Sequence, residues 1–182
     1  PNHADLLFAS GSFTVEGWAK RPVLSPGGGS RTVVASYQGG NDAGWKLEAG
    51  ENPIFWIDDS GDSPSSAQYT ANLNDGKWHH YAGVRDRTYG TAKVYLYIDG
   101  KLVAEGVDGT GSTDYTGVKT IGSKASYFPF LGEIDEVRIW ATARAVPGEV
   151  ELIRADMFQG GTLASASNLV GRWSLNEGTD NT

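Results

Sequence analysis

Apolar and polar residues alternate through one short segment after another, with the period of two that marks a half-buried strand. In "SFTVEGWAK" (12–20), Phe13, Val15 and Gly17 alternate with Thr14, Glu16 and Trp18. "RPVLSPGGGS" reads as a loop, "RTVVASY" as a β-branched strand, and "QGGNDAG" as a turn cluster. "WKLEAGENPIFWIDDSG" predicts two strands around a tight "GEN" connection, and "SAQYTANL" and "WHHYAGVRD" predict two more. In "AKVYLYIDGKLVAEG", Val94, Leu96 and Ile98 alternate with Tyr95, Tyr97 and Asp99, and the "DG" fits a type I′ hairpin turn. "VKTIGS", "LGEIDEVRIW" and "LVGRWSLNEG" complete the strands. Only "ATARAVPGEVELIRADM" has helix character, with Pro147 at its start and Val150, Leu152 and Ile153 as a short apolar face. The pattern predicts an all-β fold, a two-sheet antiparallel sandwich with one short C-terminal helix.

Strand parity assigns faces. "DGKWHHYAGVRD" sets Trp78, His80 and Ala82 against His79, Tyr81 and Gly83, and bulk on both faces suits a middle strand. In "GEIDEVRIW", regular alternation groups Ile134 with Glu136, Arg138 and Trp140, and Glu133 and Asp135 with Val137 and Ile139.

Composition narrows the partners. The 182 residues suit a single domain spanning 1–182, and 39% hydrophobic with 20% charged residues is a globular balance. No apolar run approaches the ~20 residues of a membrane-spanning helix, so membrane insertion is not expected. The formal net charge is −7, and Lys20, Arg21, Arg31 and Lys46 form no basic stripe, which argues against nucleic acid. Zero cysteines exclude disulfides, thiol catalysis and cysteine-based zinc sites.

Six phrases carry a resemblance: "FTVEGWAK", "DGKWHHYAGVRD", "VYLYIDGKLV", "IGS", "FLGEIDEVRIWATARAVPGEV" and "LVGRWSLNEGT". In this order they resemble the laminin G-like, concanavalin A-like jelly-roll family, close to the pentraxins, over nearly the whole chain. The resemblance implies two curved antiparallel sheets packed face to face. It also implies a strand before "NHADL" that this sequence lacks, hence a module of a longer chain with its first strand missing. The function it implies is non-enzymatic recognition or adhesion at the cell surface or in the extracellular space. Such a module binds a glycan or an extracellular protein through rim loops, with neighbouring domains or subunits beside it. A structural module of a larger extracellular assembly is the alternative.

"FLGEIDEVRIW" (130–140) also resembles the catalytic strand of laminarinase-like glycosidases, of the form E-x-D-x-E, or E-x-D-x-x-E with a bulge. Retaining glycosidases need two carboxylates about 5–5.5 Å apart. Glu133 and Asp135 fill the first two places, but the third falls on Val137, or on Arg138 with a bulge. Neither can donate a proton to a glycosidic oxygen, and alternation turns Glu136 to the other face unless a bulge intervenes. No catalytic residue is assigned, and a glycoside hydrolase or lyase is disfavoured.

The resemblance further implies a structural calcium ion (Ca2+) held by Asp135. "SYQGGNDAGW" resembles the first calcium element of the pentraxins, with Asn41 and Asp42 in place. The matching later loop reads Lys124, Ala125, Ser126, Tyr127 and offers no carboxylate, whereas calcium takes six to eight oxygens. "IDDSGDS" reads as a solvated turn, and His79 and His80 point to opposite faces. For glycan binding, the aromatics in or beside loops are the candidates: Tyr37, Trp45, Trp56 and Tyr127, with Asn41 and Asp42 as orienting groups. Trp18, Trp78, Trp140 and Trp173 belong to the family's core phrases.

Overall fold

The structure, a computed structural model, describes residues 6–23, 31–37, 43–61, 63–88, 90–124, 128–144, 153 and 167–175. The first strands are β1 (Phe13–Lys20), β2 (Thr32–Ser36), β3 (Gly44–Glu48), β4 (Ile54–Asp58), β5 (Ser65–Gln68) and β6 (Trp78–Asp86). After them come β7 (Lys93–Ile98), β8 (Lys101–Val107), β9 (Thr120–Ile121), β10 (Ser123–Lys124), β11 (Phe128–Pro129), β12 (Glu133–Trp140) and β13 (Leu169–Trp173). They form a six-stranded sheet ordered β13-β12-β1-β6-β7-β8 and a five-stranded sheet ordered β5-β4-β3-β2-β9, with β10 and β11 as a separate pair. The pairings are antiparallel, as expected of the sandwich. Of the expected C-terminal helix, Ala141–Arg144 carry none and Ile153 is the single described residue with helical geometry. The rest of that stretch lies outside the described residues. Among the described residues no helix is long and apolar enough to cross a membrane.

Alternation puts the core between the sheets. The six-stranded sheet sends in Phe13, Val15, Tyr81, Val94, Leu96, Ile98, Val137 and Ile139. Facing them are Val33, Val34, Trp45, Leu47, Phe55, Ile57 and Ala67. Phe13 is the hub, with ring centroids 5.7 Å from Trp45 and 5.9 Å from Phe55. Each such side chain contributes roughly 1.5–3 kcal/mol on burial.

Two local features hold the layers in register. The β7–β8 hairpin turns through Asp99 (φ 50°) and Gly100 (φ 71°), the positive pair that a type I′ turn requires. At one end of the core, the fully buried Arg85 donates from Nε to Asp108 Oδ2 (2.8 Å) and from its other nitrogens to carbonyls of Ala9, Thr110 and Gly111. One side chain thereby ties three segments together.

The six-stranded sheet is buried on its outer face as well. Ala82, Val84, Tyr95 and Tyr97 pack there with Ala143 and Ile153, so β6 is a middle strand covered on both sides. On the five-stranded sheet, by contrast, Ser66 and Gln68 are exposed and Lys46 and Trp56 only half-buried on the outward face.

Gly83 marks a close approach of the layers. A Cβ there would stand against the ring of Phe55, nearer than carbon atoms come. Gly83→Ala is therefore expected to destabilise the fold by about 1–3 kcal/mol through overpacking. Chemical denaturation at neutral pH measures it, and an unchanged midpoint would refute this packing.

Candidate functional site

The strand that resembles a catalytic one departs from regular alternation. β12 carries a bulge: Glu16 pairs with Arg138 and Trp18 with Asp135, so two residues of β12 oppose Gly17. Glu136 lies at this bulge with φ 48°, and Asp135 Oδ1 accepts from its backbone N–H at 2.8 Å. The extra residue reverses parity. Ile134 packs on the inner core with Val137 and Ile139; Glu133 and Asp135 lie on the other side, paired with Lys20 and Trp18, alongside Arg138 and Trp140. The regular alternation expected from the sequence is corrected here.

With the bulge in place, the third position of the carboxylate pattern falls on Arg138, which is buried. Glu136 accepts from Arg172 Nε and Nη2 at 2.9 and 2.8 Å and from Arg138 Nη2 at 2.9 Å. Burial alone would raise its carboxyl, but the Arg172 and Arg138 hydrogen bonds outweigh this and hold it below the usual range. A carboxylate so held is a poor proton donor. Glu133 is 61% exposed and pairs with Lys20.

Behind Arg138 lies a buried polar cluster. Glu16 Oε1 accepts from Trp140 Nε1 (3.3 Å) and Arg144 Nη1 (3.4 Å), and Arg138 Nη1 stands 3.6 Å away. His80 lies 3.8 Å from Glu16 Oε2. Burial, then the charges of Arg138 and Arg144, push the His80 imidazole down to about 3, so it is neutral.

Among the described residues no group of three or more His, Asp or Glu side chains could hold a metal ion. Asp135 belongs to no such group. Asp42, Asn41 and Tyr127 lie outside the described residues. Asp59 of the "IDDSGDS" turn accepts from the backbone N–H groups of Gly111 and Gly61, which lower its carboxyl and fasten two loops together.

The aromatic candidates separate by parity. Trp45 was expected to face a ligand, but it is 1% exposed and belongs to the core. It shares a strand face with Leu47, while Lys46 between them points out. Trp78 and Trp173 were expected in the core and are 39% and 37% exposed, because they stand at strand ends.

Tyr37 and Trp56 come together on the outward face of the five-stranded sheet. Their ring centroids are 4.6 Å apart with planes inclined at 57°. Lys46, cross-strand from Trp56, holds Nζ 5.6 Å from its ring centre, and Lys124 of β10 holds Nζ 5.1 Å from the Tyr37 ring centre. Glu48 accepts from Lys46 Nζ at 2.8 Å and from Arg31 Nη2 at 3.2 Å. The site is recessed: Tyr37 is 9% exposed and Trp56 is the more open ring. It offers the half-open Trp56 ring, backed by Tyr37 and flanked by ammonium and carboxylate groups, a set that can stack on a ring and orient its hydroxyls. Sequence reasoning missed Lys46, Glu48 and Lys124; the alternation of "WKLE" beside "IFWID" contained the signal for the first two. A second concavity of about 440 Å³, lined by Leu6, Val34, Ile121, Ile139, Val170 and Trp173 among others, is mainly apolar.

Comparison with known proteins bears on the family and the fold. Residues 2–147 match the family described as the concanavalin A-like lectin/glucanases superfamily. A protein of Bacteroides ovatus proposed to bind carbohydrate is similar in structure, with a TM-score of 0.69 and 19% identity over 98% of this chain and 48% of that one. The chain thus spans about half the length of that protein. The carbohydrate-binding module CBM40 of the Ruminococcus gnavus IT-sialidase, solved with α2,3-sialyllactose, gives 0.59 at 14% identity, covering 79% of this chain and 83% of that one. Mouse laminin α1 domains LG4-5 give 0.53 at 15% identity, covering 76% and 39%. No curated protein sequence matches the chain.

The buried cluster has a pH signature. Below about pH 6.5 the unfolded chain binds a proton at His80 that the folded chain refuses until about pH 3. Stability therefore falls as pH falls through that window, by roughly 2 kcal/mol at about pH 5 from this group. Urea denaturation at neutral pH and near pH 5 is expected to show the loss, and His80→Gln to flatten it; an identical slope in the variant would contradict a neutral buried His80.

Proposed function

Because the chain belongs to the concanavalin A-like lectin/glucanases superfamily, we propose that it is a non-enzymatic recognition module that binds carbohydrate at the Tyr37–Trp56 face. The fold alone does not choose, since the family covers both lectins and glucanases. The ring pair between Lys46 and Lys124 carries the reading. An aromatic face offers a sugar ring its apolar C–H side, and nearby charged groups satisfy the hydroxyls. Named structural neighbours, a proposed carbohydrate-binding protein and a sialidase module solved with a glycan, support the same class.

A non-enzymatic role is supported by β12. Arg138 occupies the place of the acid/base, and Glu136 is held ionised by two arginines. Nothing in that set delivers a proton to a leaving oxygen. An extracellular or cell-surface setting is the context of this reading, supported by the laminin domains and the sialidase module among the neighbours.

Binding should depend on the open ring of the pair. Trp56→Ala is expected to weaken glycan binding by about tenfold or more, with little change in melting temperature, because Trp56 lies outside the core. A glycan array followed by calorimetry on the hits measures both affinities. Undiminished binding by Trp56→Ala would place the site elsewhere.

A further inference from the structure

We propose that the glycan held at this face carries a carboxylate, as a uronic or sialic acid residue does, and that Lys124 pairs with it. The inference rests on the carbohydrate-recognition reading of the same face. It starts from a contrast of charge. The chain as a whole carries −7, yet Lys46 and Lys124 stand over the two rings, with Glu48 and Asp58 as the carboxylates on the same face of β3 and β4.

Those carboxylates are already engaged. Glu48 divides its two oxygens between Lys46 and Arg31. Asp58 turns Oδ1 to the backbone N–H of Asp59 at 2.9 Å. Lys124 forms no ion pair among the described residues; its ammonium rests over Tyr37 instead. Burial, then the neighbouring charge of Lys46, lowers its pKa, against a smaller opposing effect of Glu48. A half-buried ammonium beside a second cation is the group that an incoming anion would stabilise most.

A neutral sugar could stack on Trp56 but would leave that ammonium offset only by Glu48, whose oxygens already pair with Lys46 and Arg31. A sugar carboxylate would accept a charge-assisted hydrogen bond from Lys124 Nζ in a recessed site, where screening by water is reduced. Discrimination then comes from the cost imposed on the neutral competitor as much as from the new contact.

Calorimetry with two matched pairs tests this: a glucuronic-acid-terminated disaccharide against its glucose-terminated counterpart, and sialyllactose against lactose. In at least one pair the acidic member is expected to bind about tenfold tighter at low salt. The preference should shrink as salt rises, disappear in Lys124→Gln and return in Lys124→Arg. The pair that shows it identifies the source of the carboxylate. Equal affinity within both pairs, lost on Trp56→Ala, would overturn the carboxylate while leaving the ring-pair site standing. Binding to none of the four would overturn both. An acidic preference that survives Lys124→Gln would refute the assignment to Lys124.

Discussion

Packing of Trp45, Leu47, Phe55 and Ile57 against the facing sheet governs what the other side of the β3–β4 pair can present. Successive side chains of a strand must point to opposite faces. Once these four are committed inward, Lys46, Glu48 and Trp56 have to share the outward face, with Lys46 cross-strand from Trp56. β2 then lies beside β3 and continues outward into Tyr37, which meets Trp56. The candidate site is thus the back of the core. Moving the register of β3 by one residue would bury Lys46 and expose Trp45, at a cost the fold could not sustain.

The six-stranded sheet resolves the same constraint differently. Its outer face is closed by a second apolar cluster and by Glu16, His80, Arg138 and Arg144. A buried carboxylate between two arginines is weak evidence for net stability, but removing one partner from such a set is costly. The bulge at Glu136 belongs to this arrangement. It delivers Arg138 to Glu16 and leaves Glu136 to bind Arg172. Arg138, at the third place of the carboxylate pattern, therefore serves to close the outer face of a sheet. Likeness to a motif gave way to geometry.

Much of the sandwich was legible because period-two alternation and turn chemistry are local. "YIDGKL" announced its I′ turn, and Phe13, Val15 and Gly17 announced the inner face of β1. The burial of Trp45 was legible too: parity with Leu47 outweighs nearness to a loop. What was not legible depends on tertiary pairing. The bulge leaves only a short cue, Asp135 capping the next N–H, and such a pair of acidic residues is common in turns and strands alike. Trp78 and Trp173 sit in core phrases but at strand ends, where the opposite layer no longer covers them. Lys124 reaches Tyr37 because β10 packs beside β2, a contact between residues far apart in the chain. Asn41, Asp42 and Tyr127, named from their loops, lie outside the described residues.

The central claim is a location: recognition on the outward face of the five-stranded sheet, at two rings between two ammonium groups. The most direct test is a backbone and indole amide shift map by NMR during titration with the tightest-binding saccharide. The account expects the largest perturbations at Tyr37, Lys46, Lys124 and the Trp56 indole N–H. Perturbations confined to the rim loops around Asp59 and Gly111, with the Trp56 indole unmoved, would contradict it.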